Sequence, residues 1–337
     1  MKDPHRQEPY RAPGWLPGGQ AQTLYAKAIR QQQPVYRRER WDTPDGDFID
    51  LDWIERRSDA PLIVLFHGLE GNSRSHYAVA LMRSLAAHRW NGVVSHFRGC
   101  SGEPNRRPRA YHSGDYEEID WVLRQLRSVH AGPLCAVGVS LGGSALLNWI
   151  GRQGDHADDV VNAAAAVCAP LDLTAAGLAL ERGFNRVYTR YFLRSLKPSA
   201  TVKLEHFPEL YDGAAMRAAR TLRDFDDVVT APLHGFRDAA DYWSRASSRP
   251  WLAHICIPTL VINSRNDPFL PARELPSSDQ VSPLVTLEYP EGGGHVGFVS
   301  GPFPGHLRWL PRRLIRFFTD HVQGPSGCST ASVPCMG

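Results

Sequence analysis

Long apolar runs and clustered cysteines are both missing from this sequence. No uninterrupted apolar stretch reaches the about 18 residues that a membrane-spanning helix needs. The chain has six cysteines in 337 residues, and they include no C-x-x-C pair and no cysteine with histidines at metal-ligand spacing. We therefore expect no transmembrane segment and no metal site. The use of cysteine favours a reducing, cytoplasmic location. Peripheral membrane contact is left as an open alternative.

An excess of charge of one sign is also absent. The formal net charge is +3, and the basic residues are spread along the chain, which argues against nucleic acid as a partner. Two short basic clusters occur, at 37–40 and 106–109. They are typical of a solvated strand face and a solvated loop, and a contact to phosphate or carboxylate near the site is the alternative.

From residue 61 onward, short apolar runs alternate with longer amphipathic segments. This alternation predicts a mostly parallel, doubly wound sheet with helices on both faces, which is an α/β fold. The predicted strands are 61–66, 92–97, 133–139, 160–169, 258–263 and 285–289; the predicted helices are 75–88, 115–129, 142–153 and 306–320. Three cysteines, Cys135, Cys168 and Cys256, fall in apolar runs that are typical of strands, and all three are expected to behave as small buried apolar residues.

Two segments depart from this alternation. An Asp45-Gly46 turn between two alternating segments predicts an antiparallel hairpin at the start of the sheet. Residues 171–250 lose the strand rhythm and are expected to form a helical cap. The predicted division is therefore an N-terminal extension with hairpin (1–60), a core (61–170 and 251–322), the cap, and a disordered tail (323–337).

A G-x-S-x-G sequence at Gly138-Val139-Ser140-Leu141-Gly142 lies between a predicted strand and a predicted helix. A serine nucleophile needs a sharp strand-to-helix turn, and glycines two residues to either side of it avoid collisions with neighbouring elements. Gly138 and Gly142 are thus expected to be elbow glycines. The pattern predicts that Ser140 is the nucleophile of a hydrolase.

A serine nucleophile needs a general base, and the base needs a carboxylate that orients it. In this type of site the chain order is serine, acid, histidine. Asp267 follows a predicted strand, and His295 lies in a glycine-rich loop after the last strand. Asp172 is the alternative acid, whereas His234, His306 and His321 lack the order and the loop context.

Acyl transfer also requires hydrogen-bond donors for the oxyanion. The backbone N–H of Leu141, next to the nucleophile, can supply one. The loop after the strand at 61–66 reads His67-Gly68-Leu69-Glu70-Gly71, and the N–H of Leu69 is the expected second donor, with Gly68 as a loop glycine. Four separated segments thus indicate the same chemistry.

These motifs resemble the YheT-like branch of the abhydrolase-domain proteins, a group of serine esterases with the α/β-hydrolase fold and relatives in lipid metabolism. The matching segments are Trp15–Leu24, 67–71, 97–102, 111–114, 138–142, 266–268 and 294–297. The resemblance implies hydrolysis of carboxylic esters, such as short- to medium-chain acyl esters or acylglycerols, without metal or organic cofactor. Arg98 and His112 match family segments, and bracing of loops is their expected role.

Two alternatives to hydrolysis remain at this stage. The acyl group could pass to an alcohol instead of water, although the H-x-x-x-x-D motif of some acyltransferase relatives is absent. The chain could also be a non-catalytic binding protein on a hydrolase scaffold. Five aromatic residues of the predicted cap could line an acyl pocket or form the core of the cap: Tyr188, Tyr191, Phe192, Phe225 and Phe236. The Trp15-Leu16-Pro17 segment could touch lipid or pack on the core.

Overall fold

A computed structural model describes residues 9–58 and 60–322 of the chain; the predicted tail at 323–337 lies outside the described residues. Eight strands form one sheet in the order β1-β2-β4-β3-β5-β6-β7-β8. The strands are β1 (Arg37–Asp42), β2 (Phe48–Glu55), β3 (Leu62–Phe66), β4 (Asn91–Ser95), β5 (Leu134–Val139), β6 (Ala163–Val167), β7 (Thr259–Ile262) and β8 (Val285–Glu288).

The first two strands form the predicted antiparallel hairpin, and β2 also pairs antiparallel with β4. All later pairings are parallel. On the edge strand, Arg38 and Arg40 face Asp52 and Asp50 across the hairpin and form salt bridges with them at 2.8 and 2.7 Å. Charged side chains on an edge strand oppose pairing with other chains.

The helices that surround the sheet also follow the predicted alternation. Their bounds are α1 (Gly19–Ala28), α2 (His76–Ala87), α3 (Tyr116–Val129), α4 (Leu141–Gln153), α5 (Leu173–Leu180), α6 (Arg186–His206), α7 (Gly213–Ala218), α8 (Leu222–Phe225), α9 (Ala231–Leu233), α10 (Ala239–Ala246) and α11 (Trp309–Val322). Within the described ranges, no helix is long and apolar enough to cross a membrane.

The sheet is buried on both faces, as a doubly wound architecture requires. Alternate residues of β3 show this directly: Val64 and Phe66 join the apolar cluster that includes α3 and α4, whereas Ile63 and Leu65 join the cluster that includes α2 and α11. The α/β prediction is confirmed. The observed sheet and its flanking helices are those of the α/β-hydrolase fold.

Residues 171–250 contain only helices and turns, and they are inserted between β6 and β7. Several of their side chains line a cavity together with side chains of the sheet-bearing part of the chain. These observations support the proposed division into a core and a cap, and the name cap is used below for residues 171–250.

Some boundaries differ from the prediction. Helix α11 begins at Trp309 and not at 306, because Ser300 and His306 form an isolated β-bridge that holds the preceding segment in a loop. Cys168 directly follows β6, and Cys256 precedes β7 and is half-buried, so neither cysteine is part of a strand. Cys135 lies within β5 and is buried, as predicted.

The N-terminal Trp15-Leu16 segment packs on the chain. Leu16 is buried, and the indole N–H of Trp15 donates to the carbonyl oxygen of Gly301 at 3.0 Å. Of the two alternatives for this segment, the structure shows packing.

Candidate active site

Ser140 occupies the turn between β5 and α4. Its φ of +54° and ψ of −121° place it in a sparsely populated region for a residue with a side chain. An added Cβ at Gly138 would lie 2.4 Å from the carbonyl oxygen of Gly142, and one at Gly142 would lie 2.4 Å from that of Phe66. The backbone approaches too closely for any other residue at these two positions, which explains the spacing of the motif.

The structure brings Asp267 and His295 to Ser140. His295 Nδ1 lies 2.9 Å from Asp267 Oδ2, and His295 Nε2 lies 2.9 Å from Ser140 Oγ. An ionised carboxylate only accepts hydrogen bonds, so Nδ1 carries the imidazole proton and Nε2 is left to accept from the serine hydroxyl. This tautomer is the one that a general base requires.

The Asp267 carboxylate is itself held in place. Asp267 is buried, and the Phe269 N–H donates to its Oδ1 at 2.8 Å, while Oδ2 faces the imidazole. The Phe269 ring stacks on the His295 ring, with centroids 4.0 Å apart and planes inclined by 22°. Phe269, which directly follows the Asn-Asp-Pro turn, thus orients both the carboxylate and the imidazole.

The alternative acid has another role. The Asp172 side chain accepts a hydrogen bond from the Ala175 N–H and caps the N-terminus of α5. Among the other histidines, His306 pairs with Ser300 in the loop before α11, and His321 packs against Phe317. Of the candidate acids and histidines that lie in the described part of the chain, Asp267 and His295 are the two that the structure places beside Ser140.

The loop at 67–71 offers the Leu69 amide to the site. The Gly68 N–H donates to the Tyr77 hydroxyl, and the Glu70 N–H donates to the Tyr111 hydroxyl, both at 2.9 Å. Neither backbone nor side chain in the described part of the chain accepts from the Leu69 N–H. The two tyrosines thus occupy the flanking amides and leave the predicted donor available.

The second predicted donor is the N–H of Leu141. Leu141 is the first residue of α4, and the first N–H groups of a helix have no acceptor within it. Leu69 and Leu141 both line the same cavity as Ser140. A Cβ at Gly68 would lie 3.0 Å from the Ser140 Cβ, so glycine at 68 lets the loop at 67–71 approach Ser140.

Helix α1 braces the acid loop and the histidine loop, which the sequence did not predict. The Gln22 Oε1 accepts from the Asn266 side chain at 3.0 Å and from the Gly293 N–H at 2.7 Å. The His295 N–H donates to the Thr23 hydroxyl at 2.8 Å. The sequence signal for these contacts was the match of Trp15–Leu24 to the family. That match identifies the segment but does not show what it contacts.

Cys168 is a further neighbour that the sequence did not reveal. Its Sγ accepts from the Val296 N–H at 3.3 Å. Cys168, Asp267 and His295 each place one donor atom within 4.8 Å of the others. Burial and the nearby Asp267 charge raise the pKa of the Cys168 thiol well above its usual range. The Cys168, Asp267 and His295 side chains each already have a hydrogen-bond partner within the chain.

Ser140 and His295 open onto a cavity of about 450 Å³ that is lined mainly by apolar side chains. Of the five cap aromatics, Phe192 and Phe225 line it. Tyr188 is buried against Phe269 instead, and Tyr191 is 58% exposed. Phe236 is not part of the lining; its ring contacts His112 and Tyr242, which are.

Arg98 and His112, which match family segments, hold neighbouring loops together. Arg98 is buried and donates to Asp45 at 2.7 Å, to Asp47 at 3.0 Å and to Glu118 at 2.5 Å, which joins the hairpin turn to α3. Burial raises the pKa of Glu118 to about 7. The His112 Nδ1 accepts from the Gly114 N–H at 3.1 Å. These contacts fit the expected bracing of loops.

The two basic clusters are paired within the chain. Besides the salt bridges of the hairpin, Arg106 pairs with Asp42 at 2.8 Å, and Arg109 pairs with Asp115. The Arg107 Nε donates to the Asp45 carbonyl oxygen at 2.7 Å. Their charge is therefore used in internal contacts.

The fold and the site define a class. A family model described as the alpha/beta hydrolase fold matches residues 61–302. The chain belongs to the α/β-hydrolase family and is a hydrolytic enzyme of the esterase type.

Similarity to individual proteins shows to which branch of this family the chain belongs. The chain is 41% identical to Putative esterase YheT of Escherichia coli (strain K12), over 90% of this chain and 91% of that protein. It is 32% identical to Phospholipase ABHD3 of Mus musculus, over 94% of this chain and 79% of that protein. The resemblance to the YheT-like branch is confirmed.

A solved structure shows the same fold. An esterase of Pyrococcus furiosus, Pf2001, superposes with a TM-score of 0.56 over 87% of this chain and 96% of that one, at 16% sequence identity. At this identity the likeness shows the fold alone.

Proposed function

We propose that this enzyme hydrolyses carboxylic esters of short- to medium-chain acyl groups, including acylglycerols, through an acyl-enzyme on Ser140. One observation carries the proposal: His295 lies at hydrogen-bond distance from both Ser140 and Asp267 at the wall of a largely apolar cavity. Nucleophile, base and acid are thus adjacent where an acyl chain has room.

In the first step, Ser140 Oγ attacks the acyl carbon while its proton passes to His295 Nε2. The charge that develops on the carbonyl oxygen is stabilised by the N–H groups of Leu69 and Leu141. Asp267 stabilises the imidazolium without taking up the proton. Collapse of the tetrahedral intermediate breaks the ester bond, and the imidazolium gives its proton to the leaving alcohol.

In the second step, water resolves the acyl-enzyme. His295 Nε2 takes a proton from the water, whose oxygen forms the new bond to the acyl carbon. The intermediate then releases the carboxylic acid, and the proton returns to Ser140 Oγ. Each step uses the same base and the same two donors, and the balance needs no further reactant.

The size of the cavity sets the scale of the substrate. A cavity of about 150 Å³ encloses one benzene molecule, so about 450 Å³ corresponds to roughly 18 non-hydrogen atoms. A monoacylglycerol with a medium-length acyl chain is of this size. The names of the relatives, an esterase and a phospholipase, support an acyl ester as the substrate class.

The test is hydrolysis of p-nitrophenyl esters from acetate to palmitate. We expect an optimum at medium chain length, a loss on the order of a millionfold in turnover for Ser140→Ala, and a loss of about ten-thousandfold for Asp267→Asn. Ser144→Ala is the matched control, because Ser144 is a buried serine of α4, close to Ser140 in the chain, that lies outside the cavity lining. Unchanged turnover in Ser140→Ala would refute the proposal.

Acyl transfer to an alcohol can be distinguished from hydrolysis by its product. Hydrolysis in the presence of ethanol should give free acid, whereas transfer would give the ethyl ester. Reaction with a fluorophosphonate probe distinguishes hydrolysis and acyl transfer from a non-catalytic binding role, because labelling requires an activated Ser140. A folded chain without label would favour the non-catalytic alternative.

A further inference from the structure

Four arginines on the outer surface of the cap differ from all the basic residues described above. Arg182 lies four residues before α6, and Arg186, Arg190 and Arg194 follow it at intervals of four residues along α6; all four are exposed. Their guanidinium groups form no salt bridge or side-chain hydrogen bond within the described part of the chain. Their charge is therefore available to a partner.

The charge on this surface is of one sign. No aspartate or glutamate occurs between residues 182 and 204. The two basic clusters at 37–40 and 106–109 carry similar numbers of arginines but are neutralised by Asp42, Asp50, Asp52 and Asp115. The cap thus presents the concentrated positive charge that the small net charge of the whole chain conceals.

Exposed apolar side chains lie beside these arginines. Val187 is 45% exposed, Tyr191 is 58% exposed, and Phe184, just before α6, is 53% exposed. At about 100° per residue, the side chains at 186, 187, 190, 191 and 194 fall within an arc of about 140° on α6. Exposed apolar side chains within a basic surface are typical of a segment that lies at a membrane interface.

A neighbouring helix extends the same surface. The Lys27 ammonium of α1 lies 4.5 Å from the centre of the Tyr191 ring, and Leu24 of α1 is 43% exposed. The surface formed by Leu24, Lys27 and residues 182–194 is called the basic cap face below. It combines basic and apolar side chains from two helices that are packed together.

The other side of α6 lines the cavity that contains Ser140. Phe192, Leu196 and Ala200 contribute to the lining, and on the helix they lie opposite to the basic arc. Ser195 of the same helix donates a hydrogen bond to Glu70 of the loop that offers Leu69. A membrane bound to the outer side of α6 would therefore lie one helix diameter from the acyl cavity.

We propose that the basic cap face docks the enzyme on anionic phospholipid surfaces. The phosphate headgroups pair with the arginines, and Val187, Tyr191 and Phe184 enter the apolar boundary of the bilayer. RNA would also attract arginines, but it is bound in grooves with stacking platforms, and aliphatic Val187 and Leu24 on a convex helix surface fit lipid better. The proposal is independent of the chemistry at Ser140, because binding requires no turnover.

The experiment measures sedimentation of the full chain with vesicles of phosphatidylcholine alone and of phosphatidylcholine mixed with phosphatidylglycerol. Ser140→Ala serves as the parent protein, so that no lipid is consumed. We expect binding to the mixed vesicles only, which weakens as salt is added. Because each basic charge near an anionic surface contributes about fivefold to partitioning, the combined change R186E/R190E/R194E should reduce it by at least about a hundredfold.

Two further variants make the result specific. R308E/R312E reverses two exposed arginines before and in α11, which packs against α2 and β6 and exposes no large apolar side chain; this control should retain binding. V187S/Y191S should weaken binding while the salt dependence remains. Thermal melting of each variant establishes that it is folded.

Several outcomes would overturn the proposal. These are equal binding to both vesicle types, full binding by folded R186E/R190E/R194E, an equal loss in R308E/R312E, or binding of a single-stranded RNA with no binding to vesicles. Absence of esterase activity in the unaltered enzyme, with vesicle binding by Ser140→Ala intact, would refute only the function proposed for Ser140, so the two proposals fail separately.

Discussion

The Phe269 ring stacks on the His295 imidazole at a centroid distance of 4.0 Å, while its backbone N–H donates to Asp267 at 2.8 Å. In the proposed mechanism the imidazole becomes positively charged when it takes the serine proton, and an aromatic face stabilises an adjacent cation by about 0.5–2 kcal/mol. Phe269 therefore both positions the proposed base and favours its charged form.

We predict that Phe269→Leu reduces kcat/KM for a p-nitrophenyl ester about tenfold, since about 1.4 kcal/mol of stabilisation of the transition state is lost. The backbone hydrogen bond to Asp267 remains in this variant. Phe317→Leu, which removes a buried ring of α11 away from the site, is the control for a general loss of packing. Equal rates in the two variants would show that the stacking contributes nothing to turnover.

The close approach of backbone around the Ser140 turn predicts that a small substitution there strongly lowers stability and activity. In Gly142→Ala, the new methyl group would lie 2.4 Å from the Phe66 carbonyl oxygen and 2.5 Å from that of His67. Both contacts are with backbone, so β3 or α4 must shift, at a cost of about 3 kcal/mol. We expect a lower melting temperature and a loss of activity.

Gly14→Ala is the control for this substitution. A Cβ at Gly14 meets nothing within 4 Å, and the same addition of one methyl group should leave the melting temperature unchanged or slightly raised. If Gly142→Ala melts like Gly14→Ala, the elbow is less tightly packed than the structure indicates.

The elbow also shows why so much of the site could be predicted. The requirement for glycine around Ser140 arises within five consecutive residues and a neighbouring strand, so it appears as a motif. Asp267 and His295 each lie in the loop that follows a strand, and strand ends of a parallel sheet converge on one edge. The order serine, acid, histidine fits both Asp267 and Asp172, and the contact of Asp267 with His295 in the folded chain distinguishes the two.

The contacts that brace the site could not be predicted, because they join distant parts of the chain. The hydrogen bond between Gln22 and the Gly293 N–H spans 271 residues, and no periodicity or turn pattern encodes it. The same holds for Phe269, whose ring meets His295 only in the folded chain, and for the basic cap face. Its arginines are visible in the sequence, but their lack of partners is a property of the fold.

His67 predicts how stability depends on pH. It is fully buried, its Nδ1 donates to the Gly68 carbonyl oxygen, and its Nε2 accepts from the Phe97 N–H. Burial lowers the pKa of His67 from 6.5 to about 3. Between these values the unfolded chain binds more protons than the folded chain, so the free energy of unfolding decreases as the pH falls below 6.5.

The contribution of His67 should be about 1.4 kcal/mol for each pH unit in this window, and it is fully retained above pH 6.5. In His67→Gln, an amide oxygen can still accept from Phe97 but does not titrate, so the melting temperature should fall less steeply with pH. The exposed His254→Gln variant should keep the slope of the unaltered enzyme. A wild-type slope in His67→Gln would contradict the prediction.

Cys168 should resist alkylation although it adjoins the proposed triad. Its side chain is buried, and the pKa of the thiol is raised well above its usual range, so the reactive thiolate is scarce. We expect iodoacetamide to leave both activity and the Cys168 peptide unchanged in the folded enzyme, as measured by mass spectrometry, and to label that peptide after unfolding. A carbamidomethyl group on Cys168 would displace the Val296 N–H from Sγ and disturb the loop that carries His295, so labelling in the folded state together with loss of activity would mean that this loop opens.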